Sequence, residues 1–210
     1  MSLRKNLKSI PGLVPLVRLF RGAPLDMPHG APREWILRRM PNQSRGAEIG
    51  VYEGDFAARI LRDARPNQLH LVDPWEHVAE LENAQYGGQS SGQDEMDRRY
   101  EQVRRRFSKH IGRGQVKIHR SRSSEIADVF EDHYFDWVYI DGNHLFEYVL
   151  QDLKLYFPKV RPGGMLMGDD YGPGGWWEGG VKKAVDQFSE QKDLNLETHG
   201  SQFILTRPKQ

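Results

Sequence analysis

The chain has 210 residues, no cysteine, and a net charge of +1 from 30 Lys and Arg against 29 Asp and Glu. That length suits one α/β domain with a decorated edge. The lack of cysteine excludes disulfides, thiolate metal sites and cysteine nucleophiles; the balanced charge gives no global field for nucleic acid, and no apolar run reaches the roughly 20 residues of a membrane span.

Residues 1–40 hold eight Lys or Arg against Asp26 and Glu34, with Leu7, Ile10, Leu13, Val14, Val17 and Phe20 as an apolar side. This reads as a basic extension that acts as a lid or packs on a partner subunit, so a homodimer is an expectation. Prolines and arginines interrupt residues 10–21, so no secretion leader is read there and a cytoplasmic location is expected. The main domain is assigned to 41–210. Strands are expected at 46–50, 69–73, 116–119, 135–140, 164–168 and 202–206, with a weaker one near 195–198. Helical periodicity covers 56–64, 93–110, 145–157 and 181–188, with an Arg-Pro-Gly-Gly turn at 161–164. Arginines on one face of 93–110 read as solvated surface, because no aromatic residues interleave with them. The glycine- and serine-rich stretch 83–94 reads as a lid loop. Alternating strands and helices predict a mostly parallel sheet with helices on both faces and ligands beyond the strands' carboxyl ends.

The first chemical motif is Ala47-Glu48-Ile49-Gly50-Val51-Tyr52-Glu53-Gly54, a strand followed by two glycines four apart. After the next helix, Leu69-His70-Leu71-Val72 ends on Asp73. Glycine is needed where backbone passes close to a ligand, and a strand-end acid can accept from two ribose hydroxyls. A dinucleotide fingerprint would need G-x-G-x-x-G, but positions 50–55 read G-V-Y-E-G-D. The middle glycine is missing, and Asp55 stands where a pyrophosphate would be repelled. S-adenosylmethionine (SAM), with a sulfonium and an amino group facing Glu48, fits better.

This run resembles the first two motifs of class I SAM-dependent methyltransferases. The resemblance implies a Rossmann-like, seven-stranded sheet with an antiparallel hairpin supplied by 195–206. It implies that Glu48, Gly50, Val51, Tyr52 and Gly54 hold SAM, with Asp73 on the ribose and Pro74 beside it. Trp75 either stacks on the adenine or packs in the core. Adenine should meet Ser121-Arg122-Ser123. Arg122 stands where the family often has an acid, so Ser121 and Ser123, or backbone groups, are the expected partners.

The second constellation is Ile140-Asp141-Gly142-Asn143-His144, followed by Gly168-Asp169-Asp170-Tyr171 at the end of a neighbouring strand. Three converging carboxylates repel unless protons or a cation intervene, and Mg²⁺ is one solution. The bland alternative is that Asp141 caps a helix or binds the methionyl amine while Asp169 and Asp170 shape a turn. The two runs are similar to those of methyltransferases with I-D-G-x-H and D-D-Y motifs. That group includes metal-dependent O-methyltransferases of sugars and natural products, and cephalosporin hydroxylase-like proteins. The resemblance covers about residues 45–206 and implies that Asp141, Asp169 and Asp170 hold the ion. His144 is the expected general base, with Asp141 the alternative. Tyr171, Trp176 and Trp177 are expected to line an acceptor pocket.

The resulting expectation is a SAM-dependent methyltransferase acting on a hydroxyl of a small molecule, with Mg²⁺ assistance. Two rivals stay open. One is a metal-dependent nucleotide-sugar transferase, against which the charges of Glu48 and Asp55 argue. The other is a non-catalytic SAM-binding regulatory or assembly subunit.

Overall fold

In the computed structural model, residues 32–78 and 92–209 are described. Residues 1–31, residues 79–91 with most of the lid loop expected at 83–94, and residue 210 lie outside the described residues. The strands are β1 (Arg45–Ile49), β2 (Gln68–Asp73), β3 (Val116–Arg120), β4 (Phe135–Ile140), β5 (Val160–Gly168), β6 (Asn195–His199) and β7 (Gln202–Thr206). They form one sheet in the order β3-β2-β1-β4-β5-β7-β6. β1 to β5 run parallel, while β7 is antiparallel to both β5 and β6. This is the Rossmann-like sheet with a terminal hairpin that the motif order implied.

The helices are α1 (Pro32–Arg39), α2 (Asp55–Asp63), α3 (Gln93–Arg106), α4 (Ser108–Gly112), α5 (Ser123–Ile126), α6 (Phe146–Tyr156) and α7 (Gly180–Lys192). Side chains alternate across the strands, as a pleat requires. On β4, Val138 and Ile140 join one core with Val149, Leu153, Val185 and Phe203. Trp137 and Tyr139 join the other with Phe56, Ile60, Leu71 and Met167.

Three local features depart from the sequence reading. The helix expected over 93–110 breaks at Phe107, whose ring is buried and whose backbone leaves helical values at φ −99° and ψ 11°. The Arg-Pro-Gly-Gly segment lies within β5 and is not a turn. There the pairing with β4 shifts register between Phe135 and Trp137, and Gly163 takes φ +74°. Reciprocal hydrogen bonds of 2.9 Å, Gly163 N to Arg207 O and Arg207 N to Gly164 O, keep this bulge in the sheet.

The third departure is α1, which has a weak apolar period and was not expected. Pro32 opens it with a preset φ, while Glu34 in its first turn and Arg38 and Arg39 in its last favour the helix dipole. Ile36 and Leu37 are 0% and 4% exposed within the second core. Burial of two such side chains contributes roughly 3–6 kcal/mol towards docking the helix.

The register positions the site. Ile49 lies beside both Val72 and Ile140, and Ile140 lies beside Gly168. The next residues along, Gly50, Asp73, Asp141 and Asp169, therefore gather along one edge of the sheet.

Candidate active site

Gly50 follows β1 with φ +89°, and a Cβ there would lie 2.2 Å from the Asp141 carbonyl oxygen. Gly54 begins α2 at φ +77°, and its Cβ would lie 2.8 Å from the Phe107 ring. Both glycines answer to left-handed backbone and to close contacts within the protein. The expectation had been close approach to a ligand. Between them the chain turns around Asp73, which is 1% exposed. Its Oδ2 accepts from Val51 N (2.8 Å) and Tyr52 N (3.0 Å), and its Oδ1 from Trp75 N (2.8 Å). Asp73 thus braces the glycine loop from beneath. Asp55, in turn, is paired with Arg106 at 2.5 Å, so the case against a pyrophosphate rests on the missing glycine at Tyr52 and not on an unscreened charge.

Glu48 sits next to this loop, 1% exposed. Its Oε2 is buried without a hydrogen-bond partner among the described residues. Burial first, and then the nearby charge of Asp141, push its carboxyl well above the usual carboxylate range. A buried acid oxygen with no donor is costly unless a ligand supplies one.

The second cluster stands at the ends of β4 and β5. The Arg33 guanidinium, from the first turn of α1, bridges two carboxylates. Its Nη2 donates to Asp141 Oδ2 at 2.7 Å and its Nε to Asp169 Oδ2 at 2.8 Å. The other oxygen of Asp169 accepts from Ser201 Oγ (2.5 Å) and Asp170 N (2.8 Å). Burial alone would raise the Asp169 pKa; Arg33 and these hydrogen bonds outweigh it and hold the group below its ordinary value. Asp170 takes φ +57° and turns its carboxylate towards His144. His144 Nε2 lies 3.4 Å from Asp170 Oδ2 and 3.6 Å from Asp141 Oδ1. Burial opposes the imidazolium, but Asp141 and Asp170 overcome it and raise the His144 pKa. The Trp177 ring meets His144 edge-on at 5.0 Å, and Trp176 lies over it at 6.5 Å.

A cleft of about 370 Å³ opens between the ends of β2 and β3, lined by Pro74, Trp75, Glu76, Gln93, Arg120, Ser121, Arg122 and Glu125. Five strand ends therefore contribute to one edge: a glycine loop, a buried unsatisfied acid, a cleft, and a cluster of acids with a histidine. A model of the methyltransferase-domain family matches residues 47–171, more than half of the chain.

The chain belongs to this methyltransferase family.

No curated protein matches the methyltransferase in sequence. Solved structures do share its fold. A Corynebacterium glutamicum protein aligns at 13% identity and TM-score 0.60, over 83% of this chain and 80% of its own. The O-methyltransferase NovP aligns at 21% identity and TM-score 0.57, over 85% and 77%. The O-methyltransferase TomG from Streptomyces achromogenes, involved in tomaymycin synthesis and solved in complex with SAM, aligns at 20% identity and TM-score 0.54, over 85% and 78%. At such identities the likeness shows the fold alone.

Several expected site residues of the methyltransferase are placed differently from the sequence reading. Of the two readings of Trp75, core packing holds: it is fully buried, packs on Tyr100, and donates its indole N–H to Tyr52 O at 2.9 Å. The Ser123 hydroxyl donates to the buried Asp152 at 2.6 Å and so is held inside, away from the cleft. Ser121 and Arg122 do line the cleft, where Arg122 pairs with Glu76 at 2.9 Å. The hydroxyl of Tyr171 donates to Asp186 on α7 at 2.7 Å, so it braces that helix. Asp169 is turned to Arg33 and Ser201. The donor atoms that approach within 4.8 Å of one another belong to Asp141, His144 and Asp170.

Sequence reasoning missed Arg33, Ser201, Glu76 and Asp152. Arg33 lies outside the matched family region and looked like one more charge in a basic extension. The one signal available was chemical: three converging carboxylates need a cation, and a distant arginine can serve as well as a metal.

Proposed function

We propose that the protein transfers a methyl group from SAM to a hydroxyl of a small molecule. Family membership implies SAM as donor, and the observation that carries the site assignment is the buried, partnerless Oε2 of Glu48 beside the glycine loop. The amino and sulfonium groups of SAM offer the donor and positive charge that this acid lacks. In this reading Glu48, Gly50, Val51, Tyr52 and Gly54 form the methionyl side. Asp73 contributes by fixing the backbone of Val51 and Tyr52. Pro74, Ser121 and Arg122 border the adenosine side. NovP and TomG, O-methyltransferases of the same fold, support the oxygen acceptor.

When bound, SAM supplies an activated methyl group, so the protein's main tasks are orientation and exclusion of water. His144, next to Asp141 and Asp170, is the proposed acceptor of the hydroxyl proton, and Asp141 fixes its ring. As a base it must be neutral, and the flanking acids make that form scarce until the pH exceeds the ordinary histidine range. Trp176 and Trp177 wall this end of the site and exclude water. Residues 41–210 form the methyltransferase domain in this reading, and α1 (Pro32–Arg39) brings Arg33 to the same site.

Mg²⁺ at Asp141, Asp169 and Asp170 does not fit these residues. Both oxygens of Asp169 are engaged, and Arg33 stands between it and Asp141. The test of the reading is titration calorimetry with SAM, NAD⁺ and UDP-glucose. SAM alone should bind, and heat from another nucleotide alone would reassign the enzyme.

A further inference from the structure

Arg33 is the only group in the described acid cluster that carries a permanent positive charge. Its guanidinium joins acids from two neighbouring strands at 2.7 and 2.8 Å, and its carbon lies 5.0 Å from the Phe56 ring centre. It does not hang from a loose segment, because Ile36, Leu37 and Met40 anchor α1 in the core. The planar fork suits simultaneous bonding to two carboxylates, which a lysine point charge cannot reproduce. Asp141 Oδ2 and Asp169 Oδ2 are thereby withdrawn from any other cation. The remaining acid, Asp170, has His144 as its near charge partner. A divalent ion entering between Asp141, His144 and Asp170 would share Asp141 with the guanidinium and be repelled by it.

We propose that Arg33 is the resident cation of the acceptor site, standing where a divalent metal would sit between the strand-end carboxylates, so that methyl transfer needs no added metal. Arg33 is a positioning residue. It holds Asp141 in place next to His144 and prevents the acids from repelling one another. The assignment of this edge as the acceptor site rests on the proposed function, but the metal exclusion does not.

The test uses Mn²⁺ alone as probe, titrated into the full-length wild type, Arg33→Ala and Arg33→Lys, with thermal melts to establish folding. Wild type and Arg33→Lys should show no Mn²⁺ heat, while Arg33→Ala should gain affinity by about tenfold or more as the repelling charge leaves. If Arg33→Ala does not fold, Arg33→Gln, which removes the charge but keeps a polar side chain, takes its place with the same expected gain. Mn²⁺ binding by the wild type that disappears in Asp170→Asn would overturn the proposal, and so would a folded Arg33→Ala with unchanged metal affinity. SAM titrated into the same proteins separates the two readings: loss of SAM binding throughout sinks the proposed function and leaves the metal result standing.

Discussion

Asp152 offers a test of the electrostatics behind the cleft wall. It lies on α6, 4% exposed, with the Ser123 hydroxyl as its hydrogen-bond donor at 2.6 Å. Burial pushes its carboxyl from 3.8 up to about 7, and the Ser123 hydrogen bond recovers only part of that. The folded pKa thus exceeds the unfolded one. The associated stability is fully present below about pH 4 and is lost as the pH rises through about 7. A shift of about 3 units at 1.36 kcal/mol each puts the cost of the ionised group at about 4 kcal/mol by pH 8. Asp152→Asn keeps an acceptor for Ser123 and removes the charge. At pH 8 the variant should therefore be about 4 kcal/mol more stable, and at roughly 2–4 °C per kcal/mol its Tm should rise by about 10 °C. Near pH 4 the two proteins should melt together. Urea unfolding at pH 4, 6 and 8 checks this. A gap that does not change with pH, or a less stable variant at pH 8, would mean that Asp152 is not held uncharged by burial.

Other outcomes follow from the same geometry. With an acceptor in hand, kcat/KM should climb with pH along a limb above about 6.5, because the flanking acids raise the His144 pKa and only its neutral form accepts a proton. His144→Gln should lower kcat by about 10²–10⁴-fold and abolish that limb; an unchanged pH profile in the variant would remove His144 from the role. Gly50→Ala forces a Cβ to within 2.2 Å of the Asp141 carbonyl and takes the left-handed backbone with it. The expected loss is about 2 kcal/mol or more in urea unfolding, and a neutral result would show the loop to be looser than described. Tyr171→Phe should cost only about 1 kcal/mol of stability through the lost Asp186 bond. SAM affinity should be untouched in that variant, and a large KM effect on the acceptor would return Tyr171 to the substrate pocket.

Much of the fold was legible because its strands are short apolar runs that end on acids or glycines. The register then carries Gly50, Asp73, Asp141 and Asp169 to one edge of the sheet with no further information. Other features depended on contacts that local pattern does not encode. The turn expected at Arg161-Pro162-Gly163-Gly164 followed from the usual preference of Pro and Gly for loops. Pairing with Arg207, 43 or more residues away in sequence, makes it a bulged strand. Trp75 and Ser123 stood at the right strand ends for a nucleoside, but side-chain direction decided their roles: Trp75 is turned into the core and Ser123 towards Asp152. Arg33 is the sharpest case. Its partners lie 108 and 136 residues away, and nothing in Pro32-Arg33-Glu34-Trp35 announces them. The carboxylate cluster announced a cation; the sequence could not say which kind.

Calorimetric titration of SAM into the wild type and Glu48→Gln, in buffers of different ionisation enthalpy, tests whether Glu48 receives the cationic ligand. Burial keeps Glu48 prone to hold its proton in the ligand-free protein. A cationic ligand favours the carboxylate, so SAM binding should release a proton and tighten as pH rises. Glu48→Gln should weaken binding by about tenfold or more and abolish the release, in line with a charge-assisted hydrogen bond of about 1.5–3 kcal/mol. SAM binding that is equally tight in both proteins, with no proton released, would contradict the assignment of Glu48 and with it the site proposed here.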